Sequence, residues 1–326
     1  MKVFYPDYFK DFRCIAAACP DSCCKEWAVD VDPEAADYYR QLPGQLGDRL
    51  RSVLTDDNTM ALENRRCPMW RQDGLCEIQA QLGHDALCQT CRDFPRIRHD
   101  YGDFIEYGLE LSCPEAARLI LQSTVHKMCV RTETGSETPE YEPEIMDILL
   151  SGREEILQFL ENSSYDLPQT LAIFLLHSHN IQGQIDGGEP VVFDPEACLA
   201  DARRFAGDRD IESLFTFYQE LNILTDTWRQ RLQQKPTALC WDKTILAFAR
   251  YAVLRYYLQA VSDYDLVCRA KLIVAGCLML AALGSKTAQL YAKEIENDPD
   301  NIEAILDGAY TAPALTDANL LGLLLG

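Results

Sequence analysis

Nine of the chain's 14 cysteines fall within its first 113 residues: Cys14, Cys19, Cys23, Cys24, Cys67, Cys76, Cys88, Cys91 and Cys113. The run CPDSCCKEW, residues 19–27, alone places three thiols in six positions. A chain of 326 residues can bury a core large enough to fold without covalent staples, so the thiols need another reason to be there. Disulfide scaffolds are normally short and follow a secretory leader, whereas the opening MKVFYPDYFKDFRC has no basic segment running into an apolar one. The expected compartment is therefore the reducing cytoplasm, where thiols stay free.

The ordered spacing is C-x4-C-x3-C-C, then C-x8-C, then LCQTCRDFPR and finally SCP. Cys19 and Cys23, and again Cys88 and Cys91, share one side of a helical or turning segment, so each pair offers two sulfurs to one ion. Thiolates brought close together repel one another unless a cation compensates them. Cys19, Cys67 and Cys113 each precede a proline, which fixes the local turn, and Cys-Pro also closes the bacterial iron–sulfur run. Metal or cluster ligation is the expectation, ahead of buried structural thiols and of disulfides. The residues leave zinc and iron–sulfur open, since both accept four thiolates. His84 and His99 stand nearby in no zinc-finger spacing and read as surface or loop histidines. Cys129, Cys198, Cys240, Cys268 and Cys277 are isolated in helix-like apolar patterns and read as core thiols.

Charge narrows the partners. With 51 Asp and Glu against 30 Lys and Arg, the net charge of -21 repels nucleic acid and anionic lipid, and favours a cationic or lysine-bearing partner over either. The apolar stretch LIVAGCLMLAAL is too short to cross a bilayer and reads as a buried helix, so no membrane is expected.

The pattern predicts a mainly α protein, with a cysteine-rich, loop-containing metal or cluster region (1–130), a polar linker (131–144) and an all-α region (145–326) packed beneath it. Asp32 before Pro33 marks a helix start, and Ser112 with Glu115 has capping-box spacing ahead of Leu119, Ile120 and Val125. Beyond the linker the apolar residues keep helical spacing, GEPVVF being a short strand-like exception.

Three segments, FRCIAAACPDSCCKEWAVDVD, CPMWRQDGLCEIQAQLGHDALCQTCRDFPR and LSCPEAARLILQ, together resemble the flagellin lysine N-methylase (FliB) family, whose N-terminal part belongs to a broader CxxCxxCC group of zinc- or iron-chelating proteins. The resemblance runs from residue 4 to residue 122 and is diffuse beyond. It implies methyl transfer from S-adenosylmethionine to lysine side chains of flagellin, with an iron–sulfur cluster of the [4Fe-4S] type at the cysteine motif and zinc as runner-up. The metal ligands it implies are Cys14, Cys19, Cys23, Cys24, Cys67, Cys76, Cys91 and Cys113, enough for two four-thiolate sites or for one with spare thiols. Cys88 stands where the family pattern has serine and is an extra thiol near the site.

No G-x-G-x-x-G turn occurs, which disfavours a Rossmann-like donor domain, and the radical pattern C-x3-C-x2-C is absent. Lysine attacks only as the neutral amine, and a sulfonium donor is a cation that aromatic faces and carboxylates can hold. The segment FARYAVLRYYLQAVSDYDL supplies Phe248, Tyr264, Asp265 and the four candidates for a donor or lysine pocket, Tyr251, Tyr256, Tyr257 and Asp263. At helical spacing the same residues also suit a core. His177 and His179, two apart, point to different faces and read as the cationic end of a helix. The reading is a cytoplasmic lysine methyltransferase acting on flagellin; the alternative is a non-enzymatic metal or iron–sulfur carrier.

Overall fold

A computed structural model of the chain describes residues 1–123, 127–134, 138–139, 141–234, 236 and 238–326. Helices dominate it, as the periodicity of the second half predicts. Asp32, Asp166, Asp194, Asp210, Asp242, Asp265 and Asp298 each accept a backbone N–H from the first turn of a helix. These caps satisfy donors that a helix start leaves open, and they sit where the helix dipole favours negative charge. Part of the chain's acidity is therefore structural.

The helix Leu266–Leu283 lies at the centre of the larger core. It is long and apolar enough to cross a membrane, yet 89% of it is buried inside the fold. Its two cations are met in place: Arg269 pairs with Asp263 at 2.9 Å, and Lys271 donates to the Ala309 carbonyl at 2.9 Å beside Asp317. The helices Leu167–Ile185, Lys243–Tyr256, Pro299–Thr311 and Asp317–Leu325 pack around it, and Pro143–Asn162 packs outside them on Leu167–Ile185 and Lys243–Tyr256.

A four-stranded sheet is the element that the sequence reading lacks. Its order is Arg96–Asp100, Phe104–Leu109, Lys2–Pro6, Met128–Thr132. Lys2–Pro6 runs parallel to Phe104–Leu109, with Val3 opposite Ile105, and antiparallel to Met128–Thr132, with Val3 opposite Arg131. Each strand has only five or six residues, so local alternation is too brief to announce it; Arg96–Asp100 and Phe104–Leu109 form a hairpin, whereas Lys2–Pro6 finds both its partners far along the chain. GEPVVF, in contrast, forms no strand. Residues 131–132 of the expected linker belong to the last strand and 143–144 begin a helix; 135–137 and 140 lie outside the described residues.

Two other local expectations are corrected. The Ser112/Glu115 capping box does not form, because Cys113 takes the cap position before Pro114, Ser112 turns to Glu110 and Glu115 pairs with Arg118. The helix ends at Gln122, and Val125 lies outside the described residues. His177 and His179 sit inside the helix Leu167–Ile185 rather than at its end; His177 is buried against Glu155 and His179 meets Asp317. They do point to different faces.

Two larger apolar cores result, with a small third one around Ile173, Cys198 and Leu199. Phe12, Phe104, Leu109, Leu111 and Ile120 join the helical core, so the sheet and the helix Pro114–Gln122 pack directly on the second half of the chain. Residues 29–88 have a smaller core of their own around Val31, Tyr39, Leu50, Met69 and Ile78. Between sheet and helices, Arg153 makes a two-pronged bond to Glu106 at 2.6 and 2.7 Å, with both side chains buried. Removing one partner of such a pair leaves an uncompensated buried charge. Arg153→Met should lower the unfolding free energy by about 3–5 kcal/mol, and adding Glu106→Gln should recover much of it. Urea denaturation of both variants checks this; a single variant as stable as the parent overturns it.

Candidate functional site

The segment 13–27 has no fully buried side chain, so polar contacts fix its course. Trp27 donates its indole N–H to the Cys23 carbonyl at 2.5 Å and packs edge-on to Phe94. The Cys67 amide donates to the Cys24 carbonyl at 2.8 Å, and the Glu26 amide to the Arg65 carbonyl at 2.9 Å. Through these bonds the first cysteine group lies along the segment that carries Cys67. Asp21 reaches across to Lys293 at 2.7 Å, in a π-helical turn, Ala292–Glu296, of the second half.

Asp32 ties in the third cysteine segment. One carboxylate oxygen caps its own helix by accepting from the Ala35 amide at 2.9 Å, while the other accepts from the Gln89 amide at 2.7 Å. Thr90 adds a hydroxyl bond to the Asp30 carbonyl at 2.8 Å, and Tyr39 one to the Ala86 carbonyl at 2.8 Å. Cys113 arrives on the N-cap of Pro114–Gln122, where the Ser112 carbonyl accepts from Gln289 at 2.6 Å.

The outcome is a cavity of about 540 Å³ lined by Cys14, Cys19, Cys23, Cys24, Cys76, Cys91 and Cys113, together with Trp27, Phe94 and Lys293. Seven of the eight cysteines named from the sequence therefore face one space. The eighth, Cys67, is buried beside it and shares a thiol hydrogen bond with Cys24. Cys88, the extra thiol, is buried and bonds in the same way to Cys91. All 14 cysteines are free. Among the described residues no three His, Cys, Asp or Glu side chains are drawn tightly enough together to hold an ion as they stand.

Thiol acidities follow from these neighbours. The bond from Cys24 lowers Cys67 to about 7 and also lowers Cys23, while Cys24 itself is raised; Cys88 is lowered to about 7 by Cys91, which is raised in turn. Burial raises Cys19 and Cys76 and pushes Cys113 up to about 11. Cys23, Cys67 and Cys88 are thus the more easily ionised thiols, and Cys19, Cys24, Cys76, Cys91 and Cys113 the reluctant ones. Burial acts to raise the Asp21 carboxyl, but the Lys293 bond and charge outweigh it and hold that acid below its usual range.

Other candidates are more scattered. His84 is exposed and borders the thiol cavity. His99, read as a surface or loop residue, sits in the strand Arg96–Asp100 with its Nε2 buried, and desolvation lowers it to about 4. Of the proposed pocket residues, Tyr256 and Asp263 line one cavity, Tyr251 is buried with its hydroxyl on Glu296 at 2.7 Å, and Tyr257 is fully buried against Gly152. The four do not share a site. Of the isolated cysteines, Cys198, Cys268 and Cys277 are buried, whereas Cys129 lies half-buried in a strand and Cys240 is exposed. Lys293, Gln289 and Asn297 were missed altogether, since nothing in their local sequence links them to a thiol site some 270 residues earlier.

Fold and site define a mainly helical protein whose cysteine-rich first third closes a thiol-lined cavity against the second half. Over 130 residues the chain is 31% identical to the flagellar biosynthetic protein FliU of Salmonella muenchen, a match covering 36% of this chain and 75% of FliU. Over 129 residues it is 30% identical to the lysine-N-methylases of Salmonella choleraesuis and Salmonella typhimurium, covering 36% of this chain and 31% of each relative. The chain belongs to the family that contains FliU and these lysine-N-methylases. Its match spans less than a third of the lysine-N-methylases' own length. No family model and no solved structure matches it.

The double role of Asp32 gives a prediction. Its two backbone donors, Gln89 first, hold the carboxyl below its ordinary value. A depressed folded value stabilises above the unfolded pKa of about 3.9, and that contribution is lost as pH falls through the folded value. Asp32→Ala should therefore destabilise by about 1 kcal/mol at neutral pH and flatten the acid limb of the stability curve. It should also speed alkylation of Cys91; parent-like alkylation and acid sensitivity would show that the bond to Gln89 does not hold this segment.

Proposed function

We propose that the chain is an S-adenosylmethionine-dependent protein-lysine N-methyltransferase acting on flagellin in the cytoplasm, and that its thiol cavity holds an iron–sulfur cluster of the [4Fe-4S] type, with zinc as the competing occupant. Kinship with lysine-N-methylases supports the transfer. The flagellar designation of FliU and the net charge of -21, which attracts lysine-bearing surfaces, support the substrate.

The metal reading is carried by one observation: seven free thiols from four separate stretches border one cavity. An all-sulfur donor set suits a soft metal or a cluster, and bringing so many thiolates together without a cation is costly. The ligand pool is Cys14, Cys19, Cys23, Cys24, Cys76, Cys91 and Cys113, with Cys67 one hydrogen bond away. When bound, a cluster supplies a cross-link among these stretches and a redox-active centre. The chain's own residues do the rest: Trp27 and Phe94 shield the cavity from water, and Lys293 brings positive charge beside the thiols while anchoring Asp21.

Anaerobically purified protein should be brown, with broad visible absorption and stoichiometric iron and sulfide. Cys23→Ser and Cys24→Ser should each lose the metal while Cys240→Ser keeps it; equal metal content in all three variants removes the assignment. A colourless, zinc-loaded protein selects zinc.

Calorimetric titration with S-adenosylmethionine, followed by mass spectrometry of flagellin for methyl-sized increments on lysine, tests the transfer. An intact centre without donor binding or lysine modification selects the non-enzymatic carrier instead.

A further inference from the structure

A second cavity, of about 560 Å³, lies along the helix Pro299–Thr311. Ile302, Glu303, Leu306, Asp307 and Tyr310 border it at spacings of three and four residues, so one side of the helix forms the wall. Glu303 and Asp307 are exposed at its edge, and Ile302 and Leu306 are half-buried between them. Asp265 accepts the Tyr310 hydroxyl at 2.7 Å, which holds that ring at the rim.

The inner end is polar and enclosed. Tyr256 lines it at 6% exposure, and its hydroxyl lies beside Arg255 and Glu296 without a well-formed hydrogen bond to either. Glu296 borders the same space and accepts from Tyr251. Among the buried polar atoms that lack a partner, Tyr256 Oη and His99 Nε2 belong to residues that border this groove, and an unmet buried group beside an open space calls for a polar guest. The lining carries five carboxylates, Asp263, Asp265, Glu296, Glu303 and Asp307, against the single cation Arg255; Asp263 is already paired with Arg269, and the other four still outnumber Arg255. Such a space repels a ligand that brings its own carboxylate, as a free amino acid or the sulfonium donor does, and suits a cation on an apolar stem.

We propose that this groove receives a lysine side chain of a protein substrate, its methylenes between Ile302 and Leu306 and its amine directed to Tyr256 and Glu296. The proposal rests on the methyltransferase reading and assigns that reading its substrate side. Position supports it: Glu296 faces the groove, while Lys293 and Asn297, on either side of it in sequence, face the thiol cavity. One π-helical turn, Ala292–Glu296, thus carries residues of both spaces. Turns of this kind occur often at functional sites.

The test uses the full chain and two capped, carboxylate-free peptides, Ala-Ala-Lys-Ala-Ala and the same sequence with norleucine for lysine, titrated by NMR. The lysine peptide should bind at least about fivefold more tightly than the norleucine peptide. Glu303→Gln with Asp307→Asn should remove most of that difference, and Tyr256→Phe, which deletes only the unmet hydroxyl, should weaken the lysine peptide alone. Melting curves for each variant establish that the fold persists. Equal affinity for the two peptides, indifference to all three substitutions, or competitive displacement of the lysine peptide by S-adenosylmethionine overturns the proposal. Methylation assays separate it from the reading beneath: transfer with an unchanged KM in the Glu303→Gln/Asp307→Asn variant sinks the groove and keeps the enzyme, whereas lysine-selective binding without any transfer keeps the groove and sinks the enzyme.

Discussion

The segment that carries the first four cysteines is held mainly by polar bonds, with Trp27 against Phe94 and Cys24 against the smaller core as its apolar contacts. Residues 13–27 bury no side chain fully, so the hydrophobic effect that fixes the rest of the chain does little for them. Their course is set by backbone bonds from Cys67 and Glu26, by the indole of Trp27 and by the pair between Asp21 and Lys293. Each of these is individually modest, and together they tie the loop to Lys293 in the second half of the chain. The thiol cavity thus depends on a loop whose placement answers to charge and hydrogen bonding more than to packing.

What the sequence made legible was local. The helix at Pro33 follows from an aspartate cap and a proline at the first position, both read within three residues, and the structure places it at Pro33–Gln41. Seven cysteines named from spacing and resemblance do border one space. The sheet was not legible, because strands of five or six residues are too short to show a clear alternation and the first, Lys2–Pro6, finds both partners outside any short window, although Arg96–Asp100 and Phe104–Leu109 form a local hairpin. The capping box misled because Ser112 has a competing partner in Glu110 that the motif ignores. His177 and His179 misled because apolar periodicity resumes after them with Ile181 and Ile185, which are buried.

The tyrosines show a different failure. Tyr251, Tyr256 and Tyr257 are close in sequence, but a helix that turns to 3-10 geometry after Tyr256 sends them to three surroundings. Tyr251 bonds Glu296, Tyr256 edges a groove, and Tyr257 fills core space beside Gly152. Composition marks a region rich in aromatic and acidic groups; only tertiary packing decides which of them share a space. Acidity divides in a similar way, Asp32 serving as a helix cap, Asp307 lining a groove, and Asp265 doing both.

The threading of the sheet also has a consequence for biogenesis. Its first strand, Lys2–Pro6, must wait for Phe104–Leu109 and then Met128–Thr132 before it has any neighbour, while residues 29–88 already possess an apolar nucleus of their own. On a ribosome, where the N-terminal part emerges first, that nested lobe can condense while the opening strand is still an unsatisfied edge. Its thiols, Cys67, Cys76 and Cys88, would then be set in near-final order before the helical half arrives to shut the door.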